Sequence, residues 1–255
     1  MPAAQDYIGV FDSGLGGLSV LRELINLMPA ERYVYFGDCA NAPYGSKTTA
    51  EVRALTLQAA DRLVRRGCKA LVIACNTATA AAIELLRQHY PELIVVGIEP
   101  AVKMAADSGG HAVGVMATPV TLREEKLAQL MDRFPDLSLQ PIEAPALVEL
   151  IEQGATVQTL KDYLAPILSP YAGKLDAVVL GCTHYPFAAS AIGALLGPDT
   201  RLLDGSAGTA RQAKRRLENA GLLWDGPGQL VIDSSGGPEF EQRALALLQK
   251  EYYGV

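Results

Sequence analysis

Two cysteines sit in matching settings. In LVIACNTATAA (71–81) an apolar run ends on a small residue, followed by Cys75, Asn76 and Thr77. In VVLGCTHYP (178–186) the same layout gives Cys182, Thr183 and His184. A thiol attacks or accepts a proton as thiolate, and the start of a helix favours that form because the helix dipole stabilises negative charge there. Four chemistries fit such a pair: a redox couple, metal ligation, two small buried hydrophobes, or two acid–base groups acting on one substrate. Metal ligation wants further Cys or His ligands close by, but no CxxC occurs and the three histidines are scattered. A redox couple needs the two strand ends within bonding reach, and free cysteine is often buried for packing alone. The two-base reading accounts for more of the pattern. One group removes a proton from one face of a carbon and the other delivers a proton to the opposite face, one as thiolate and one as thiol, with roles exchanged in the reverse direction. Asp12 and His184 are candidate helpers that orient the thiols or set their protonation, against the plainer readings of a turn aspartate and a packed loop histidine.

The elements that must carry these residues recur along the chain. Short β-branched runs stand at 7–11, 32–36, 70–75, 93–98, 112–116, 176–181 and 200–204. Helical patterns separate them, among them 48–66, 119–134 and 208–220. Continuous apolar strands alternating with amphipathic helices predict an α/β class with mostly parallel sheets covered on both faces. In such sheets ligands bind beyond the carboxyl ends of the strands. The loops in those places are FDSGLGGLS (11–19), GDCANAPYGS (37–46), CNTAT (75–79) and CTHYP (182–186). Rich in Gly, Ser, Thr and Asn, and free of Arg, they offer backbone N–H groups and helix N-termini that suit a small carboxylate. The glycine loop misses the full dinucleotide fingerprint, and Ala40 stands where a phosphate loop ending in YGSKTT would need its first glycine. A crossing between domains is expected near GIEPAV (97–102) and a return near LLDGSAG (202–208).

The bulk numbers narrow the class of function. The chain has 255 residues, 49% of them hydrophobic, enough for one large or two small domains. A net charge of -6 without a dense Lys/Arg run argues against nucleic acid as a partner. RLVRR (62–66) falls on a helical pattern and reads as a solvated face. The first residues lack the charged start and long apolar stretch of a signal peptide, and no run is long enough to span a membrane. The expectation is a cytoplasmic protein with no membrane association. In that reducing compartment a structural disulfide is not expected. Cys68 reads as a small residue leading into a strand, and Cys39 as a loop residue.

Taken together, FDSGLGGLS, PYGSK, ACNTA and GCTHYP resemble the glutamate racemases of the aspartate/glutamate racemase superfamily, in order and across essentially the whole chain. The resemblance implies two similar α/β domains with the active site in the cleft between them: residues 1–97 plus 206–255, carrying Asp12 and Cys75, and residues 98–205, carrying Cys182 and His184. It implies cofactor-independent interconversion of L- and D-glutamate, with no metal, supplying D-glutamate for peptidoglycan. Within it, Cys75 is similar to the thiol that takes the α-proton from D-glutamate, and Cys182 to the one acting on L-glutamate. Asp12 and Ser13 match the motif that binds the substrate amine region. Pro43, Tyr44 and Gly45 match a loop over the side-chain carboxylate, and Asn76, Thr77, Thr183 and His184 match contact residues. Asp38 stands where the family has an aspartate that holds the loop. Thr118 and Thr121 resemble a threonine pair near the substrate, although LREEKL after them lacks the family's Ser and Tyr. Glu152 corresponds to an acidic residue near the site, with Glu149 competing for that place. The family is often dimeric, in more than one arrangement, so a homodimer is the state the resemblance carries. An aspartate or other small-acid racemase is the near alternative, and a thiol redox protein the distant one.

Overall fold

The computed structural model describes residues 6–98, 101–107, 109–123, 132–237 and 239–249. They form two compact units, residues 6–98 with 206–249 and residues 101–205. The first unit opens with β1 (Tyr7–Asp12), α1 (Leu18–Leu27), β2 (Arg32–Gly37), α2 (Thr49–Arg65), β3 (Cys68–Ile73), α3 (Asn76–His89) and β4 (Ile94–Gly97). The second holds α4 (Val102–Asp107), β5 (Ala112–Ala117), α5 (Pro119–Arg123), β6 (Ser138–Glu143) and α6 (Leu147–Glu152). It continues with α7 (Val157–Leu168), β7 (Ala177–Leu180), α8 (Ala189–Leu196) and β8 (Arg201–Asp204). The chain then returns to the first unit with α9 (Ser206–Asn219), β9 (Gln229–Ser234) and α10 (Glu239–Gln249).

Each unit is built on one sheet in which every strand pair is parallel. The orders are β4-β3-β1-β2-β9 and β6-β5-β7-β8. Strand β3 is buried at all six positions, as a continuous apolar run predicts for a strand covered on both faces. In the first unit α1 packs on α9 and α10, and α2 on α3. Helix α2 starts where local chemistry says it should. The Thr48 side chain accepts from the Glu51 N–H and the Glu51 side chain accepts from the Thr48 N–H, a capping box of about 1 kcal/mol. In the second unit α7 lays Leu160, Leu164 and Leu168 into a core with Val178, Leu180 and Ile192. Each such leucine contributes about 2 kcal/mol by leaving water.

The seven expected strands are present, with two more besides. β6 and β9 are edge strands, and β6 carries Pro141 opposite Val115 and alternates poorly in burial. Proline cannot donate to a ladder and so belongs at an edge, which is why neither propensity nor alternation marked this segment. The helix expected over 119–134 begins as α5, and its residues 124–131 lie outside the described ones. Cys68 is the buried first residue of β3, and Cys39 lies half-buried in a 3-10 turn, Cys39–Asn41. Among the described residues no helix is long and apolar enough to cross a membrane.

One buried polar cluster ties the returning chain to the first sheet. Lys69 and Glu31, 5% and 1% exposed, form an ion pair at 2.7 Å. The Lys69 ammonium also donates to the Leu222 carbonyl at 2.7 Å, and Glu31 Oε1 accepts from the Trp224 N–H at 2.8 Å. The segment between α9 and β9 is thereby pinned, and the Arg32 guanidinium lies 4.1 Å from the centre of the Trp224 ring. Nearby, buried Tyr33 donates its hydroxyl to the carbonyls of Leu24 and Met28 at the end of α1. Burial, and then the charge of Glu31, push this phenol above its ordinary value.

Two outcomes follow from that cluster. Lys69→Ala leaves the Glu31 carboxylate buried without its partner and should lower unfolding stability by about 3–5 kcal/mol in urea titrations. A loss under about 1 kcal/mol would mean that water reaches Glu31. For Tyr33 the folded-state pKa lies above the unfolded one, so its contribution is full below pH about 10 and is lost as pH rises further, by about 1.4 kcal/mol per unit. Urea midpoints should fall from pH 9.5 to 11.5, with a shallower fall in Tyr33→Phe. Parallel slopes in the two proteins would refute the assignment to this phenol.

Candidate active site

Strand order reverses around β1 in the first sheet, so the loops after β1 and β3 leave the sheet side by side at a switch point. The Ala74 N–H donates to the Phe11 carbonyl at 2.8 Å and the Asp38 N–H to the Asp12 carbonyl at 2.9 Å, carrying the ladder one step beyond the regular strands. Asp12 is fully buried, and its Oδ1 accepts the Gly14 N–H at 2.8 Å, closing a turn that starts the glycine loop. The loop enters α1 at Gly17, where an added Cβ would lie 2.5 Å from the Asp12 Cβ and 3.0 Å from the Ala74 Cβ. Only glycine lets the loop lie this close to the two strand ends.

Cys75 is the N-cap of α3, and its Sγ accepts the Ala78 N–H at 3.4 Å. The Ser13 hydroxyl lies 3.5 Å from the same sulfur. Backbone donor, hydroxyl and helix dipole all favour negative charge on that sulfur. Asn76 and Thr77 follow in the first turn of α3, both buried. Neither Oδ1 nor Nδ2 of Asn76 has a hydrogen-bond partner among the described residues. A buried primary amide left unsatisfied costs several kcal/mol in principle, and its persistence marks a place where a polar ligand would supply the bonds.

The loop after β2 is braced by Asp38. Its carboxylate accepts from Asn41 Nδ2 at 3.0 and 3.1 Å and from the Tyr44 hydroxyl at 2.7 Å. Tyr44 is buried, with its ring 6.1 Å from that of Phe11. Burial first, then the bond to Asp38 and the charges of Asp38, Cys75 and Asp12, hold this phenol well above its ordinary value. It is a neutral donor throughout the working pH range. Pro43, after a cis peptide bond from Ala42, and Gly45 are half-buried beside it.

The second sheet repeats the arrangement. Strand β5 has β6 on one side and β7 on the other, so the loops after β5 and β7 are the adjacent ones. The Gly181 N–H donates to the Met116 carbonyl at 2.6 Å, and Cys182 follows, 8% exposed. Its Sγ lies 3.9 Å from His184 Nδ1, and His184 Nε2 lies 2.8 Å from Glu152 Oε1. An ionised carboxylate only accepts, so Nε2 donates its proton to Glu152, and Nδ1 is the nitrogen that faces the Cys182 sulfur. Of the two competing glutamates it is Glu152, at the end of α6, that meets the imidazole; Glu149 Oε2 is buried without a hydrogen-bond partner among the described residues. Thr183 is buried between Cys182 and His184 in sequence. After β5, Thr118 and Thr121 are buried with their hydroxyls 3.0 Å apart, and the Thr121 N–H donates to Thr118 Oγ1 at 3.3 Å.

The first unit thus gathers Asp12, Ser13, Asp38, Tyr44, Cys75 and Asn76 around one switch point. The second gathers Glu152, Cys182 and His184, with Thr118 and Thr121 on the neighbouring loop. The sequence reading did not single out Gly17 as a contact of the site, nor Tyr185, whose hydroxyl donates to the Ala144 carbonyl. The repeated glycines of the first loop were the signal for the former, and the THYP passage for the latter. Among the described residues no three His, Cys, Asp or Glu side chains gather as a metal-binding group.

The chain is similar to known proteins in sequence and in fold. The family model for Asp/Glu/Hydantoin racemase matches residues 8–213. A glutamate racemase of Clostridium perfringens is 48% identical over 217 residues, covering 83% of each chain. The crystal structure of glutamate racemase from Thermus thermophilus, in complex with beta-chloro-D-alanine, has a TM-score of 0.82 and 38% identity, covering 98% of this chain and 96% of its own. That from Francisella tularensis, in complex with D-glutamate, has a TM-score of 0.85 and 28% identity, covering 97% and 95%. The chain belongs to the Asp/Glu/Hydantoin racemase family, among its glutamate racemases.

Proposed function

We propose that this protein racemises glutamate without a cofactor, using Cys75 and Cys182 as paired acid and base. The observation that carries the reading is the repetition of one arrangement: a buried thiol just beyond a strand at the switch point of each parallel sheet, each with its own polar helper. Two thiols that act as acid and base on one Cα have to approach it from opposite faces. In the L-to-D direction Cys182 as thiolate takes the α-proton of L-glutamate, and Cys75 as thiol gives its proton to the other face. The enzyme leaves that turnover with Cys182 protonated and Cys75 as thiolate, ready for the reverse direction. Proton exchange with solvent resets it for another turnover in the first. His184, held by Glu152, is the relay that carries the Cys182 proton.

The carbanion formed at Cα has no electron sink, so fixed donors have to hold the charge that spreads into the α-carboxylate. The unsatisfied Asn76 amide, the Thr77 and Thr183 hydroxyls and the N–H groups at the start of α3 are suited to that carboxylate. Asp12 takes the ammonium, and Tyr44 with Pro43 and Gly45 borders the side-chain carboxylate. Ser13, bonded to the Cys75 sulfur, orients the thiol, and Thr118 and Thr121 add hydroxyls from the loop after β5. The reading sets the enzyme in the cytoplasm, with D-glutamate consumed in peptidoglycan assembly.

The test is incubation of L-glutamate with the purified protein in heavy water, without added cofactor and with a reductant present. A racemic, α-deuterated product is expected. Cys75→Ser and Cys182→Ser should each slow racemisation at least about a hundredfold, the usual contribution of a general acid or base. Exchange with aspartate but not glutamate would move the substrate assignment, and full activity in either variant would sink the two-thiol mechanism.

A further inference from the structure

Helix α6 has only six residues, and its first turn makes no side-chain cap: Ala146 is the N-cap and offers no acceptor. A short helix without a cap gains little from its own hydrogen bonds and is positioned by what holds it from outside. Two tyrosines do so here. Tyr163 on α7 presents its hydroxyl oxygen to the N–H of Ala146 at 3.1 Å, the bond that an N3 side chain makes in a capping box. Tyr185, fully buried three residues after Cys182, donates its hydroxyl to the Ala144 carbonyl at 3.3 Å. At the other end of α6, Glu152 reaches His184 at 2.8 Å, and His184 faces the Cys182 sulfur at 3.9 Å. A ring is closed: thiol, imidazole, carboxylate, helix, entry turn, Tyr185, and back to the thiol loop.

We propose that Tyr163 is a positioning residue for the second thiol, fixing the entry of α6 so that Glu152 stays aimed at His184. The inference rests on the reading of His184 and Glu152 as the relay for Cys182. Among the described residues the Tyr163 hydroxyl hydrogen-bonds to the Ala146 N–H and not to the relay, so its hydroxyl acts through the helix. Its phenol is kept neutral by burial, and next by the charge of Glu149, against the opposing pull of the Ala146 N–H. A neutral hydroxyl can still accept that N–H with one lone pair.

The experiment is a double-mutant cycle of Tyr163→Phe and Glu152→Gln, following kcat, KM and the pH profile of glutamate racemisation, with thermal melts alongside. Phenylalanine keeps the ring and removes the acceptor, so kcat should fall about two- to tenfold, the range set by one neutral hydrogen bond, with KM little changed. The pH profile should move in the same direction as in Glu152→Gln. In the Glu152→Gln background the second change should cost almost nothing more. Additive losses with an unshifted pH profile, or full activity in Tyr163→Phe, would overturn the inference while leaving the relay standing. An unaffected Glu152→Gln would overturn the relay reading and this inference together.

Discussion

A parallel sheet pairs its strands along their length but not beyond their carboxyl ends, and where the strand order reverses two neighbouring loops turn apart. Both thiols of the candidate site owe their place to that constraint. In the first unit the two loops begin at Asp12 and Cys75, in the second at Thr118 and Cys182. The strands that lead into the site, β1, β3, β5 and β7, are apolar and largely buried up to their ends, so they supply rigidity. The chemistry begins where the apolar run stops, within one or two residues of the last ladder bond. A side chain there is held by the sheet behind it while facing donors from the helix ahead.

The two thiols are supported differently. Cys75 has the Ala78 N–H, the helix it caps and a hydroxyl from the adjacent strand-end loop beside its sulfur. Cys182 has an imidazole beside its sulfur, whose other nitrogen meets Glu152 at the end of α6. A hydroxyl and a helix end can steady charge on sulfur but carry no proton away at neutral pH. An imidazole can. The difference in neighbours fits the proposed mechanism, in which the two thiols start each turnover in opposite protonation states.

What the sequence could reveal depends on whether the cause of a residue lies in its own segment. The strand-end loops were legible because glycine, asparagine and threonine have local reasons to be there, and Cys75, Asn76 and Thr77 show their setting within three residues. The parallel class was legible from the unbroken apolar runs, of which β3 is the purest. What depended on distant partners was hidden. Glu149 and Glu152 lie one turn apart on a helix too short to show a periodic face, so only the packing of α6 tells which one meets His184. β6 was hidden because Pro141 disguises an edge strand, and Tyr163 because its hydroxyl serves a backbone amide of another element. The close approach at Gly17 is a matter of tertiary contact, for which a run of glycines gives no single candidate.

The place of β9 in the first sheet has a consequence for how the chain is made. It pairs along the whole of β2, from Arg32 with Gln229 to Gly37 with Ser234, yet it is encoded after the entire second unit. During synthesis, then, the ribosome releases β2 as a bare sheet edge and leaves it so while residues 101–205 emerge. Unpaired N–H and C=O groups on such an edge are a template for pairing with another chain. The aromatic-rich RYVYFG of β2 is the segment a nascent-chain chaperone would have most reason to shield until the last strand arrives.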